Sequence, residues 1–517
     1  MSSADLLHSK KKRKYNSKAS EIDVKKMKTM GSTEPKLDET YKHIHDENVQ
    51  LEPPYLTKGD CRIDGKKLLD WILHPVNNQN FFREIFEKKP LLIQRKGVST
   101  TYSSPWISSK EIDSILRENI LIYGVNIDVT SFENGQRETH NQEGRAYAGA
   151  IWDFYQTGCS IRLLNPQTFS HDVYEKLSFL QEYVGNFCGA NVYLTPPGTQ
   201  GFAPHWDDIE AFVIQLEGCK RWRVYEPTTL LPDYSSHNLK SESLPDPIID
   251  CHLKAGDLLY FPRGYIHQGN ALEDQHSLHI TVSMFQQHSY SHLMAKIMPN
   301  LLNNFQSKSL TLRESLPCNY LDAFGSSNRM QTNSESNSDT AQTRSEVIKR
   351  VQNMLGEMIN CVPDIVDESV DQFALKFMRE SLPPCLSTEE SSRTIATSGA
   401  FWESNSKSVQ GTENVVDLDT KLKLVRKRCI RLIYERKTKT NRLYFNVENT
   451  RIYHEVDLKS IELDSVDAKN IKFLIRKYPK FCTANDLKFG DEQSKLELVM
   501  GLYEKGILIS EKKIETI

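Results

Sequence analysis

Long apolar runs are missing from this chain of 517 residues. No stretch approaches the roughly 18–20 consecutive apolar residues of a membrane-spanning helix, and no apolar segment follows the basic residues near the N-terminus. The expectation is a protein neither inserted in a membrane nor secreted. Paired cysteines are missing too. Ten cysteines are scattered with no C-x-x-C among them, which argues against a zinc ribbon or a disulfide framework and for a reducing compartment. There is no internal repeat. The formal net charge is only -3, so charge informs only where it is locally concentrated. What remains is ordinary globular composition, 38% hydrophobic, enough at this length for about two to four domains.

Residues 1–62 are polar and lack periodic apolar positions, so they read as a disordered basic leader that buries too little surface to offset ordering entropy. Within it, "KKKRK" (Lys10 to Lys14), followed by Lys25, Lys26 and Lys28, is open to three readings: a nuclear import signal, a nucleic-acid contact or a solvated tail. Apolar spacing of three and four in "KKLLDWILHP" (66–75) and "NFFREIFEKKPLLIQ" (80–94) predicts two helices ended by Pro75 and Pro90. From about 120 to 285 come short β-rich runs without intervening helices: "CSIRLL", "ANVYLTP", "AFVIQLEG", "KRWRVYEP", "DLLYFPRG" and "LHITVSMF". They predict a barrel or jelly roll within a domain over 63–285. Helical spacing returns in "SHLMAKIMPNLLNNF" (291–305) and "SEVIKRVQNMLGEMI" (345–359), giving a helical region over 286–386 with a flexible Ser/Asn-rich insert at 325–345. A polar linker over 387–414 leads to a last domain at 415–517, whose strand, strand, helix, helix order suits a winged helix.

Chemistry concentrates in "HWDDIEAFVIQLEGCKRW" (205–222). Side chains at i and i+2 of a strand share a face, so His205 and Asp207 point together and Trp206 points away. A third ligand is offered by His267 in "GDLLYFPRGYIHQG" (256–269). Two histidines and a carboxylate leave the open positions that suit non-haem Fe(II), which takes a bidentate 2-oxo acid and dioxygen. Gly218 then permits a tight turn, and the return strand "KRWRVY" puts Lys220, Trp222 and Val224 on one face. If that face lines the lumen, the Lys220 ammonium needs an anion, and the far carboxylate of 2-oxoglutarate is suitable. The rival from the same ligands is a zinc hydrolase, with Asp208 or Glu210 as general base. It leaves Lys220 without an obvious partner.

The runs "NVYLTPPGTQGFAPHWDDIEAFVIQLEGCKRWRVY" (191–225), "GDLLYFPRGYIHQ" and "HSLHITVS" (276–283) resemble the JmjC-type ribosomal oxygenases. "YGVNIDVTSFENGQRETHN" (123–141) and "IWDFYQTGCSIRLL" (151–164) resemble their nucleolar branch of bifunctional lysine-specific demethylases and histidyl-hydroxylases. The resemblance implies an α+β protein with a double-stranded β-helix (cupin) barrel, a helical dimerisation domain and a C-terminal winged helix. It implies Fe(II) as cofactor, with 2-oxoglutarate and O2 as co-substrates. His205, Asp207 and His267 match the iron ligands, and Lys220 the residue binding the C5 carboxylate. Asn191 and Ser283 match polar groups of that pocket; Arg162 and Tyr193 match residues near the substrate entrance. Trp206 departs from the usual tyrosine, and the 325–345 insert is a second departure. Implied substrates are a histidine of a large-subunit ribosomal protein, giving hydroxyhistidine, or a methylated histone lysine, whose hydroxymethyl product releases formaldehyde. Homodimerisation and residence in the nucleus, within the nucleolus, are also implied. A non-catalytic chromatin or ribosome binder is the alternative that an intact ligand set disfavours.

Between Lys421 and Arg442 stand ten Lys/Arg and one acidic residue, Glu435. This reads first as a solvated hairpin face and second as a nucleic-acid contact. His252, His276 and His279 are not expected to be ligands, since three protein donors already leave the open positions the chemistry requires.

Overall fold

The strand Glu210–Tyr225, sixteen residues long, belongs to both walls of a barrel. The structure is a computed structural model that describes residues 40–514 other than 48–50, 55, 57–58, 97–101, 104, 319, 327–337, 398–400, 411–415, 437 and 453–456. The barrel strands in chain order are β1 (Lys42–Asp46), β2 (Leu91–Arg95), β3 (Ile127–Glu133), β4 (Gln136–Thr139), β5 (Ser160–Leu164), β6 (Cys188–Thr195), β7 (Glu210–Tyr225), β8 (Ile249–Lys254), β9 (Leu258–Phe261), β10 (Ile266–Ala271) and β11 (Ser277–Met284). One wall has the order β1-β2-β9-β7-β11-β6-β5-β3-β4, and β8 and β10 pair with β7 to make the other. The first half of β7 pairs with β9 and β11, the second half with β8 and β10. Two walls sharing a strand, antiparallel except for the β1–β2 pair, form the expected double-stranded β-helix.

Gly218 does not make the expected tight turn. The chain runs through it, and the β7–β11 register shifts between Leu278 and His279, a bulge at the point where β7 changes walls. Gly218 has φ +63°, and a Cβ there would lie 1.8 Å from the His276 carbonyl oxygen. Only glycine meets both demands. Along β7 the pleat alternates as a two-sided strand should: Phe212 and Ile214 enter the main core, while Ala211 and Val213 join Trp222, Val224, Leu259 and Phe261 on the other face.

Helices α1 (Cys61–Leu73), α2 (Asn78–Glu84), α3 (Ser109–Glu118), α4 (Ala148–Gln156) and α5 (His171–Val184) surround this barrel. Three expectations change here. The leader is not disordered to residue 62: Lys42–Asp46 pairs in parallel with β2, and α1 starts at Cys61 behind an Asp60 cap. Residues 1–39, with "KKKRK", lie outside the described residues. The second predicted helix ends at Glu84 rather than at Pro90, because Leu91–Arg95 is buried as a strand between β1 and β9. A short apolar run has no period that separates strand from helix; pairing partners decided it. Finally, α4 and α5 do interrupt the strands.

Beyond the barrel, helices Tyr290–Lys308, Ser338–Ile359 and Val362–Glu380 pack through Ile297, Leu301, Phe305, Met358 and Ile365. The predicted insert at 325–345 is shorter, since the helix from Ser338 takes its last residues. Residues 387–414 are not a bare linker. They hold a capped turn at Thr388–Ser391 and a hairpin, Phe401–Glu403 with Ser408–Gln410. Glu390 forms a buried ion pair with Arg426 at 2.9 Å. The last region has the predicted strands (Ile430–Glu435, Thr440–Phe445) and helices (Ser465–Lys477, Glu492–Glu504), plus strands at Leu422–Leu424, Lys459–Leu463 and Leu508–Ser510. They enclose a separate core around Leu443, Ile471, Leu502 and Leu508.

The basic stretch is not chiefly a solvated face. Lys423 and Arg426 are buried, Arg428 donates to the carbonyl of Glu182 at 2.6 Å, Arg431 pairs with Asp371, and Arg436 reaches the Asp364 carbonyl at 2.5 Å. Its charges fasten the last region to the barrel and the helices.

Replacing Gly218 by alanine forces a left-handed Cβ against a carbonyl, with an expected loss of about 2–4 kcal/mol. A urea midpoint equal to that of the parent protein would refute this account of the strand crossing.

Candidate metal centre

His205 and Asp207 do not lie in a strand as expected. His205 makes a single antiparallel bridge with His267, the second residue of β10. Its two backbone hydrogen bonds, 3.2 Å from His205 N to His267 O and 2.9 Å in return, set the two histidines side by side. The Asp207 carbonyl accepts from Gly264 N at 3.0 Å, tying the carboxylate's residue to the same loop. Trp206 turns away as the alternation requires, its indole donating to the Tyr234 carbonyl at 3.2 Å.

The three side chains converge. Asp207 Oδ1 lies 3.9 Å from His205 Nε2, and Oδ2 lies 3.7 Å from His267 Nε2. Each imidazole has its Nδ1 within hydrogen-bonding distance of a backbone carbonyl, Ala203 at 2.8 Å and Tyr265 at 3.1 Å. A carbonyl can only accept, so Nδ1 carries a proton and Nε2 is the nitrogen turned toward Asp207. Burial, with His205 alongside, pushes the His267 imidazole down to about 4. It is therefore neutral and able to ligate at physiological pH. Two imidazoles and one carboxylate on one side of a cavity fit Fe(II), whose sites keep several positions open.

That cavity, of about 280 Å³, is lined by Arg162, Asn191, Tyr193, Lys220 and Ser283 together with the triad. The volume lies near the lower end of the ~300–1,000 Å³ typical of small-molecule sites. All eight residues singled out from the sequence therefore meet in one place. Lys220 points inward, buried, and donates to Thr195 Oγ1 at 3.1 Å. Burial alone pushes its ammonium down to about 7. Room for its stem comes from Gly269, where a Cβ would lie 3.1 Å from Lys220 Cε. An ammonium with one hydroxyl partner fits a carboxylate, which restores the charge balance that burial removed. At the mouth, Arg162 binds Asp128 through Nε at 3.1 Å and lies over the Phe202 ring at 5.3 Å.

Thr195 and Thr281 escaped the sequence reading, although alternation could have found them. Residues 191, 193 and 195 share one face of β6; residues 279, 281 and 283 share one face of β11, and the strands register Thr281 against Asn191. His279 is no part of the donor triad; it stacks on Tyr193 at 4.8 Å with rings 4° from parallel. His276 pairs with Glu217 at 3.0 Å, away from the triad. The hydrolase reading loses one of its candidate bases, because Glu210 is buried against Arg263 at 3.0 Å and the Tyr260 hydroxyl.

A cupin-type barrel carrying a His-Asp-His triad and an inward lysine defines a JmjC protein. Residues 162–293 match the family model described as JmjC domain, and residues 382–514 match that of the Ribosomal oxygenase 1 C-terminal winged helix domain. The chain is 43% identical over 457 residues to Ribosomal oxygenase 1 of Danio rerio, spanning 87% of this chain and 81% of that protein. It is 42% identical over 455 residues to the Bifunctional lysine-specific demethylase and histidyl-hydroxylase NO66 of Branchiostoma floridae, spanning 88% and 69%. The X-ray structure of E. coli ycfD aligns with 84% of this chain and 98% of its own at 18% identity, with a TM-score of 0.43. The chain belongs to the ribosomal oxygenase family of JmjC proteins.

The lysine gives a pH test. Below about 7 the empty site already holds an ammonium; above it the amine must take up a proton before a dianion binds. The KM for 2-oxoglutarate is expected to rise by up to about tenfold per pH unit above 7. In Lys220→Arg, whose guanidinium stays charged, the profile is expected to be flat. A flat profile in the parent protein would refute the assignment.

Proposed function

We infer that the protein is an Fe(II)- and 2-oxoglutarate-dependent oxygenase that hydroxylates a protein histidine, demethylates a protein lysine, or does both. The observation that carries this is the sharing of one cavity by the His205, Asp207, His267 triad and Lys220. His205, Asp207 and His267 would hold the iron through Nε2, a carboxylate oxygen and Nε2. Lys220, with the Thr195 hydroxyl, would hold the far carboxylate of 2-oxoglutarate, and Asn191 and Ser283 would offer neutral hydrogen bonds along its length. Bound iron supplies oxidation of a C–H bond by dioxygen, coupled to decarboxylation of the 2-oxo acid. Trp222 and Phe261 wall the cavity and exclude water. Arg162, Tyr193 and Phe202 shape the mouth where a substrate side chain enters.

The relatives' names carry the substrate classes: histidyl-hydroxylase and lysine-specific demethylase. For this chain we propose a histidine of a large-subunit ribosomal protein and methylated histone lysines, with the role in chromatin and transcription that the second implies. Homodimerisation is supported by an apolar stripe left exposed on the helical region: Met294, Met298 and Leu302 on one helix, Ile348, Val351, Leu355 and Ile359 on another. Contact with nucleic acid would rest on Lys427 with Lys376 and Lys472, which line a cavity of about 520 Å³ between the helices and the last region. Nuclear and nucleolar residence rests on the family resemblance and is compatible with "KKKRK". A purely non-catalytic binder would have no use for a complete donor set and a buried lysine.

Incubation with iron and 2-oxoglutarate, offering ribosomal-protein and methylated histone peptides side by side, is expected to add one oxygen to histidine or remove methyl groups from lysine, read by mass spectrometry. His205→Ala is expected to lose more activity than the roughly 10–100-fold typical of outer-shell changes. Undiminished turnover in that variant would sink the proposal.

A further inference from the structure

Among the described residues, a second group of metal-capable side chains lies on the outside of the barrel: His171, Glu175 and Cys385, with one donor atom from each within 4.8 Å of the others. We propose that this is a zinc site, separate from the His205 centre, joining α5 to the segment that enters the winged-helix region.

His171 and Glu175 are four residues apart at the start of α5, so both project from one helix face. Cys385 comes from more than two hundred residues further along the chain, and its position is held by contacts other than those of the triad. Gln181 exchanges two hydrogen bonds with Leu382, at 2.8 and 3.0 Å. The Tyr174 hydroxyl donates to the Pro383 carbonyl at 3.0 Å, and Cys385 N donates to Ser178 Oγ at 3.3 Å. From the far side Arg426 donates to the Cys385 carbonyl at 2.6 Å. The thiol is thus laid along α5 over the helix face that carries the imidazole and the carboxylate. His171 is exposed, Glu175 half-buried and Cys385 buried, so an ion enters from solvent and its inner side meets the sulfur.

Donor chemistry selects the ion. A thiolate disfavours Mg²⁺ and Ca²⁺, and one sulfur, one imidazole nitrogen and one carboxylate oxygen suit tetrahedral zinc with water as fourth ligand. Zinc–donor distances of about 2.0–2.3 Å require the three atoms to close in. The exposed His171 side chain can make that movement by rotamer change. On binding, the Cys385 S–H bond breaks, its proton goes to solvent, and the thiolate donates an electron pair to the ion. Residue 385 lies three residues into the match to the winged-helix family, which starts at 382. The ion therefore cross-links two regions whose sequences are far apart.

Cobalt(II) titration of metal-stripped full-length protein tests this, because a thiolate ligand gives a sulfur-to-cobalt charge-transfer band in the near ultraviolet that a His-Asp-His centre lacks. The band is expected in the parent protein and in His205→Ala, to vanish in Cys385→Ser, and to require at least about tenfold more cobalt in His171→Ala. His171 is exposed, so that variant keeps the fold. Absence of the band in the parent protein overturns the site. So does its persistence in Cys385→Ser, or an unchanged affinity in His171→Ala.

Discussion

Placing a lysine ammonium inside a barrel, away from solvent, is costly unless something answers its charge, and among the described residues Lys220 has one hydrogen-bond partner, the Thr195 hydroxyl. Burial draws the ammonium down to about 7, so the site is poised near neutrality between a charged state that seeks an anion and a neutral one that does not. Other features follow from this constraint. Gly269 leaves space for the lysine stem. Trp222 stands beside it, and the threonine comes from β6, across the lumen. Asp207 precedes β7 by three positions and the lysine sits on its second half, so one continuous strand sets the span between the carboxylate and the ammonium.

The triad side chains are held in place by the backbone around them. A backbone bridge aligns His205 with His267, and each imidazole is fixed through Nδ1 by the carbonyl two residues earlier in the chain. The result is two Nε2 atoms facing one carboxylate. Neighbouring histidines differ in this respect. His276 is engaged by Glu217, and His279 is stacked flat on Tyr193 as part of the wall.

Away from the barrel, basic residues act mainly as fasteners. Arg426 is buried with Glu390, Arg428 caps carbonyls at the end of α5, and Arg431 reaches Asp371 on the helical region. A run that reads as a solvated or nucleic-acid-binding face in one dimension is largely spent on joining regions in three. The charges left facing solvent, Lys427 among them, border the cavity between helices and winged helix.

The local alphabet of the chain determined which residues could do chemistry and which faces they shared. The inward alternation of Lys220 and Trp222 and the winged-helix order are readable because they depend on periods of two and of three to four residues, whereas H-x-D and His267 beyond a Pro-Arg-Gly turn are readable by residue type. The family resemblance supplied Asn191, Ser283, Arg162 and Tyr193, which no local period singles out. Tertiary structure alone decided that Gly218 is a crossing rather than a turn, that Leu91–Arg95 is a strand, and that Thr195 is the lysine's partner. It alone decided that residue 385 meets residues 171 and 175. Each of these depends on contacts between segments distant in the chain, such as the His276 carbonyl against Gly218 or β1 and β9 against β2. Periodicity carries information about a residue's own element, and it carries none about which other element will stand opposite.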